Sequence, residues 1–92
     1  PGEGPSQEVQ NNGWFRSTFI AEAEDGEKKI CSLYGSGDPG YKSTSKLVCE
    51  SALTLAQSNN LPGGENYGGV LTSAAGLGNE LIIRLKAADI EF

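Results

Sequence analysis

From Trp14 to Ala23 the sequence WFRSTFIAEA is dense in aromatic and β-branched residues, and KKICSLY from Lys28 to Tyr34 repeats that character, which marks two strands. Between them Glu24-Asp25-Gly26-Glu27 contains Asp-Gly, the pair that tolerates the positive φ values of a type I′ turn, so the stretch predicts a β-hairpin closed by a two-residue loop. That loop sets Ala21 opposite Ile30, Ile20 opposite Cys31, Phe19 opposite Ser32 and Thr18 opposite Leu33. One face then carries Phe15, Phe19, Ala21, Ile30 and Tyr34, and the other Trp14, Ile20, Cys31 and Leu33 with Arg16, Glu22 and Lys29. Neither face is purely polar, which predicts a sheet held between layers or covered on its second face by another domain.

Helical periods flank the hairpin. Ser6 before Gln7, Glu8 and Val9 predicts a short helix over 7–11, with the Ser6 hydroxyl accepting from a free amide and Gly13 in the left-handed position after it. Residues 44–58 place apolar side chains at 48, 52 and 55 and again at 49, 53 and 56. These adjacent rows predict a mostly buried helix capped by Thr44 or Ser45, with Lys46, Glu50, Thr54 and Gln57 on the remaining narrow face. Asn59-Asn60 and Pro62-Gly63-Gly64 end it. Val70-Leu71-Thr72 is a short strand candidate, Ser73 to Gly78 is ambiguous, and Asn79 is the expected cap of a helix over 80–88 with Leu81, Leu85 and Ala88 on one stripe. Asp89 to Phe92 alternates as an edge strand.

Composition narrows the classes. A chain of 92 residues with 37% hydrophobic content and 13 glycines has room for one domain with a modest core. Its formal charge of −5 and scattered Lys and Arg offer no positive patch for phosphate backbones, so nucleic acid is not expected as a partner. No apolar run reaches the ~18–20 residues of a membrane span, and a cytoplasmic location is expected. The chain opens PGEGPSQEV without an initiator methionine and is expected to be a piece of something longer. It has no histidine, which removes Ser-His and Cys-His nucleophile chemistry and, with only Cys31 and Cys49, a zinc cluster. The two cysteines are expected as free buried thiols, with a disulfide across the core as the alternative.

Gly35-Ser36-Gly37-Asp38-Pro39-Gly40 is a literal G-x-G-x-x-G, the pattern that brings a pyrophosphate to a helix N-terminus. A dinucleotide site needs a buried parallel strand before the glycines and a helix that begins at them. Here the strand is the second arm of a hairpin and the helix begins beyond Gly40, so the segment reads as a turn from sheet to helix, with Asp38-Pro39-Gly40 supplying the turn chemistry. Gly63-Gly64 through Gly68-Gly69 lacks the Lys-Ser/Thr of a phosphate-binding loop and reads as a mobile loop. Glu22, Glu24, Asp25 and Glu27 crowd the hairpin tip as solvated carboxylates, and Tyr34, Tyr41 and Tyr67 are expected in packing or rim positions. No catalytic, cofactor-binding or metal-ligating residue is assigned.

Several segments in order resemble the C-terminal part of saccharopine dehydrogenase-like oxidoreductases. They are Gly4-Pro5-Ser6, Gly13-Trp14-Phe15, Gly37-Asp38-Pro39-Gly40-Tyr41, Glu50-Ser51-Ala52-Leu53, Gly68-Gly69-Val70-Leu71-Thr72, and Leu85-Lys86-Ala87-Ala88 before Ile90-Glu91-Phe92. Asp89 departs from the pattern, where glycine is usual after the last helix. The resemblance implies that 1–92 is a single C-terminal α+β domain, a small antiparallel or mixed sheet built on the hairpin with helices packed on it. It further implies a larger parent whose upstream N-terminal Rossmann domain binds NAD(P), with this second domain shaping the substrate cleft and a possible homodimer contact. The fragment alone is then not catalytic. Asp38, Gly40, Tyr41, Asn66 and Tyr67 are the candidates for substrate or partner contact, since loops on a rigid scaffold carry binding. The alternative from another class is a stand-alone structural or protein-interaction module whose two-faced hairpin is the contact surface.

Overall fold

The computed structural model describes residues 2–64 and 67–92. Helix α1 (Gln7–Asn12) leads into strand β1 (Trp14–Glu22), which turns back as β2 (Lys28–Ser36). Helices α2 (Lys42–Gln57) and α3 (Ser73–Ala87) follow, and β3 (Ile90–Glu91) closes the chain. The architecture is α+β, with one antiparallel three-stranded sheet in the order β1-β2-β3.

The hairpin forms, but its register differs from the expected one by one residue. Ile20 faces Ile30, Phe19 faces Cys31, Thr18 faces Ser32 and Ser17 faces Leu33. The cause lies in the loop. Ala23 donates its amide to Glu27 O, so Glu24–Gly26 form a three-residue loop in which Gly26 alone takes a positive φ of 86°. Asp25 accepts from the Glu27 amide at 3.0 Å, a turn of its own making, instead of taking the left-handed conformation a type I′ turn demands. One residue of slip exchanges neighbours across the pair. Phe15, Ser17 and Phe19 now share a face with Cys31, Leu33 and Gly35, while Tyr34 joins Trp14, Arg16, Ile20 and Ile30 on the other. The Trp14 and Tyr34 rings stack there at 6.3 Å.

The core is small and lies where α3 meets the short third strand. Leu77, Leu85 and Ile90 are its buried apolar side chains. Ile90 pairs with Gly35, and a Cβ at Gly35 would stand 2.9 Å from Ile90 Cδ1 and closer still to the Phe15 ring, so any other residue at that crossing has to displace those side chains. Asp89 reaches the strand through a left-handed φ of 61°, the only non-glycine in that region among the described residues. Glycine is the ordinary residue for such a helix exit, which gives the Asp89 departure its physical meaning.

Helix α2 packs the opposite way from the expectation. It lies against α3, and the side toward α3 is the narrow polar face. Arg84 donates to Glu50 at 3.0 Å and to Gln57 at 3.3 Å, Ser58 donates to Glu80 at 3.3 Å, and Thr54 is fully buried. The apolar rows point out, with Val48 and Leu55 each 62% exposed. Periodicity located the two faces correctly and assigned them the wrong surroundings. Both cysteines, Cys31 and Cys49, are free and exposed, which corrects the expectation that they are buried.

Helix α3 is two helical pieces joined across a non-helical Gly78: the second runs from there to Ala87, in keeping with the helix expected over 80–88, and the first, which starts at Ser73, was not expected. Thr72 caps the first piece by accepting from the Ala75 amide, so Val70-Leu71-Thr72 is a helix entry and not a strand. Gly78 kinks the helix at φ 52°, ψ −138°, and its missing side chain leaves room for Pro62. The radius of gyration, 15.7 Å, exceeds the ~12 Å of a compact domain of this length, because the hairpin extends away from the helices as an arm.

Candidate functional site

Asp38 anchors the first candidate region, the turn between β2 and α2. It is buried, and its carboxylate accepts from the Tyr41 amide at 2.9 Å and the Lys42 amide at 3.1 Å. It thereby satisfies the free amides at the start of α2, a role expected of Thr44 or Ser45. Ser43, also buried, donates back to Ser36 O or Gly37 O, each at 3.1 Å. The Asp38 amide donates to Gln10 O and the Gly37 amide to Gly13 O, which ties α1 to the same turn. Gly13 does not take the expected left-handed conformation; its φ is −67°. What it supplies is absence of a side chain, since a Cβ there would lie 2.7 Å from the Asp38 amide nitrogen.

This geometry bears on the glycine-rich turn. A pyrophosphate at α2 would need the amides that Asp38 already occupies, and would sit against a buried carboxylate of like charge. A dinucleotide phosphate at this turn would have to displace the Asp38 carboxylate from the Tyr41 and Lys42 amides. Gly40 and Tyr41 are exposed beside this turn, with the Tyr41 ring against Gly4.

Tyr67 belongs to a different place. It is half exposed and lines a groove of about 360 Å³ bounded by Leu55 of α2, Leu61, Leu71, and Gly76 and Leu77 of α3. Asn66 lies outside the described residues. The structure therefore separates the candidates into a capped turn (Asp38, Gly40, Tyr41) and an apolar groove (Tyr67). Sequence reasoning missed the groove's other walls. Leu55 was assigned to the core by its period, and Leu77 sits in the ambiguous Ser73–Gly78 stretch, where two glycines mask the helix signal. A usable signal was Thr72 three residues before Ala75, at cap spacing.

Gly76 is the unexplained residue of this groove. It is helical without a positive φ, and a Cβ there would meet only Leu71 at an ordinary 3.6 Å. Backbone strain does not require glycine, and glycine inside a helix costs roughly 0.5–1 kcal/mol relative to alanine. Among the described residues, no three His, Cys, Asp or Glu side chains converge on a metal-sized site, and no helix is long and apolar enough to cross a membrane.

No family model matches the chain, and no solved structure matches it. Curated relatives do. A Mycobacterium tuberculosis protein provisionally named a trans-acting enoyl reductase is 37% identical over 90 residues, covering 98% of this chain and 21% of the relative. Proteins named trans-acting enoyl reductase from Mycobacterium ulcerans and Mycobacterium bovis are 34% and 32% identical over the same length and with the same coverage. The chain thus spans about a fifth (21%) of the length of the relatives it matches. These names correct the expectation raised by the segment resemblance: the relatives are enoyl reductases by name, not saccharopine dehydrogenase-like proteins. Ordered short motifs such as Gly37-Asp38-Pro39-Gly40-Tyr41 report turn and cap geometry, which many activities share. The names favour a stand-alone interaction module no better.

Proposed function

We propose that this chain is a segment of a trans-acting enoyl reductase, an enzyme that reduces the carbon–carbon double bond of an α,β-unsaturated acyl substrate. The observation that carries this reading is the match of 32–37% identity over 90 residues to three proteins bearing that name. In this reading 1–92 is one C-terminal α+β domain, the second domain of a longer cytoplasmic protein whose N-terminal Rossmann domain binds NAD(P), the hydride source. The hairpin arm and the apolar rows of α2 are open surfaces that fit contact with that domain, or with a second copy in a homodimer. Occupation of the α2 amides by Asp38 supports placing the cofactor elsewhere in the parent.

The test is NADPH oxidation by the full-length protein that contains this segment, supplied with butenoyl and dodecenoyl thioesters. Reduction of the double bond, with none by the 92-residue chain alone, is the expected result. A folded full-length protein that oxidises no NADPH with any enoyl thioester overturns the reading. Turnover by the isolated chain overturns the assignment of the cofactor to an upstream domain.

A further inference from the structure

We propose that the groove between Leu55, Tyr67, Leu71 and Leu77, floored by Gly76, holds the acyl chain of the substrate. Its volume of about 360 Å³ lies within the ~300–1,000 Å³ of small-molecule sites. Among the described residues its lining side chains carry no charge, while Thr72 and Ser73 place hydroxyls where α3 begins. That distribution suits a hydrocarbon chain with a polar end and does not suit a nucleotide or an anion. Gly76 adds an independent observation. Helix geometry does not require it, and the space its side chain would take is the open floor of the groove. Filling that space narrows the channel without straining the backbone. The hairpin arm also bounds a hollow, of about 380 Å³, but that one is walled by the charged Arg16 and Glu91 beside Ser32, Tyr34 and Phe92 and suits a hydrocarbon chain less well. That the chain in the groove is the substrate's rests on the enoyl reductase reading, whereas the preference for an unbranched apolar chain does not.

The probe is a dodecanoyl N-acetylcysteamine thioester carrying a terminal diazirine, saturated so that it cannot be reduced, photolysed with the full-length protein. Crosslinks at Leu55, Tyr67 or Leu71 that unlabelled dodecanoyl thioester competes away are expected. Gly76→Phe puts a seven-carbon side chain on the floor of the groove, so labelling and dodecenoyl kcat/KM fall roughly tenfold or more, a loss several times larger than that of butenoyl kcat/KM. Gly76→Ala, whose Cβ fits at 3.6 Å, gives a smaller loss and a higher melting midpoint, and keeps the test valid should Gly76→Phe not fold. Labelling that maps elsewhere or resists competition, or an equal effect of Gly76→Phe on short and long substrates, overturns the groove even where the protein reduces enoyl thioesters. Competed labelling in a protein that reduces none upholds the groove and removes the enzymatic reading.

Discussion

Asp38 does more than its place in a Pro-Gly turn suggests. Its carboxylate holds the Tyr41 and Lys42 amides, its own amide reaches Gln10 O, and its backbone presses so closely on Gly13 that a side chain there would collide. Helices α1 and α2 thus meet on one residue. Asp38→Ala leaves those amides without their partner, and a loss of about 1–2 kcal/mol is expected, the worth of a helix cap. Urea denaturation reads it as a lower midpoint at unchanged slope. A loss no larger than that of an exposed carboxylate such as Glu24→Ala contradicts the capping role. At this scale the sequence was partly legible. Ser6 caps α1 as its position implies, accepting from Val9. Asp38 was legible as a turn former but not as a cap, because the cap lies three and four residues before the amides it serves and two hydroxyl residues nearer the helix competed for the role. Gly13 was recognised as special for the wrong reason. Only the folded chain brings Asp38 against it.

Elements were legible as elements, and their facing was not. Strand composition and Asp-Gly announced the hairpin, but a three-residue loop moves every cross-strand partner by one. In α2 the period of 3.6 showed one wide apolar side and one narrow polar side, and the rule that apolar sides face the core misplaced both. Glu50, Thr54 and Gln57 turn toward α3 because Arg84 stands opposite them and pairs with Glu50, both side chains being less than a third exposed at 29% and 22%. Such a seam stabilises modestly: a double-mutant cycle over Glu50→Gln and Arg84→Met should return a coupling of about 0.5–1 kcal/mol. Each single change should cost more than the double change would suggest, because it leaves one half-buried charge unpaired. A coupling indistinguishable from zero in low salt removes the pair from the account of how α2 and α3 stay together.

At the scale of the molecule, the described residues bury only three apolar side chains, and apolar surface lies outside on the arm and on α2. Phe19, Ile20 and Ile30 are 56%, 68% and 70% exposed, near the tip of a hairpin that only β3 extends, at the opposite end. A two-stranded ribbon of that kind is marginal in water by itself. Amides of residues 18–31 should therefore exchange with deuterium within seconds in the isolated chain, while those around Leu85 and Ile90 are slowed most. In the full-length protein the same arm amides should be protected by roughly tenfold or more if other parts of the parent cover them. Equal exchange in both settings sinks that expectation. Such a division between sheet and cover is beyond the reach of a local sequence pattern, which reports that a face is apolar and not what meets it.

The loop of Glu24, Asp25 and Gly26 has a consequence at this largest scale. Strand β2 is pinned by Ile90 at Gly35, whereas β1 is an outer strand whose orientation follows the loop. An odd count of loop residues turns Phe15 inward beside Gly35 and leaves Trp14 outside over Tyr34. An even count would invert β1 while altering no residue in either strand. Loop parity, and not strand composition, sets which half of an almost unchanged sequence is presented to whatever lies next to it. Two descendants differing by one residue at that tip would share every strand motif and still offer their neighbours unlike surfaces.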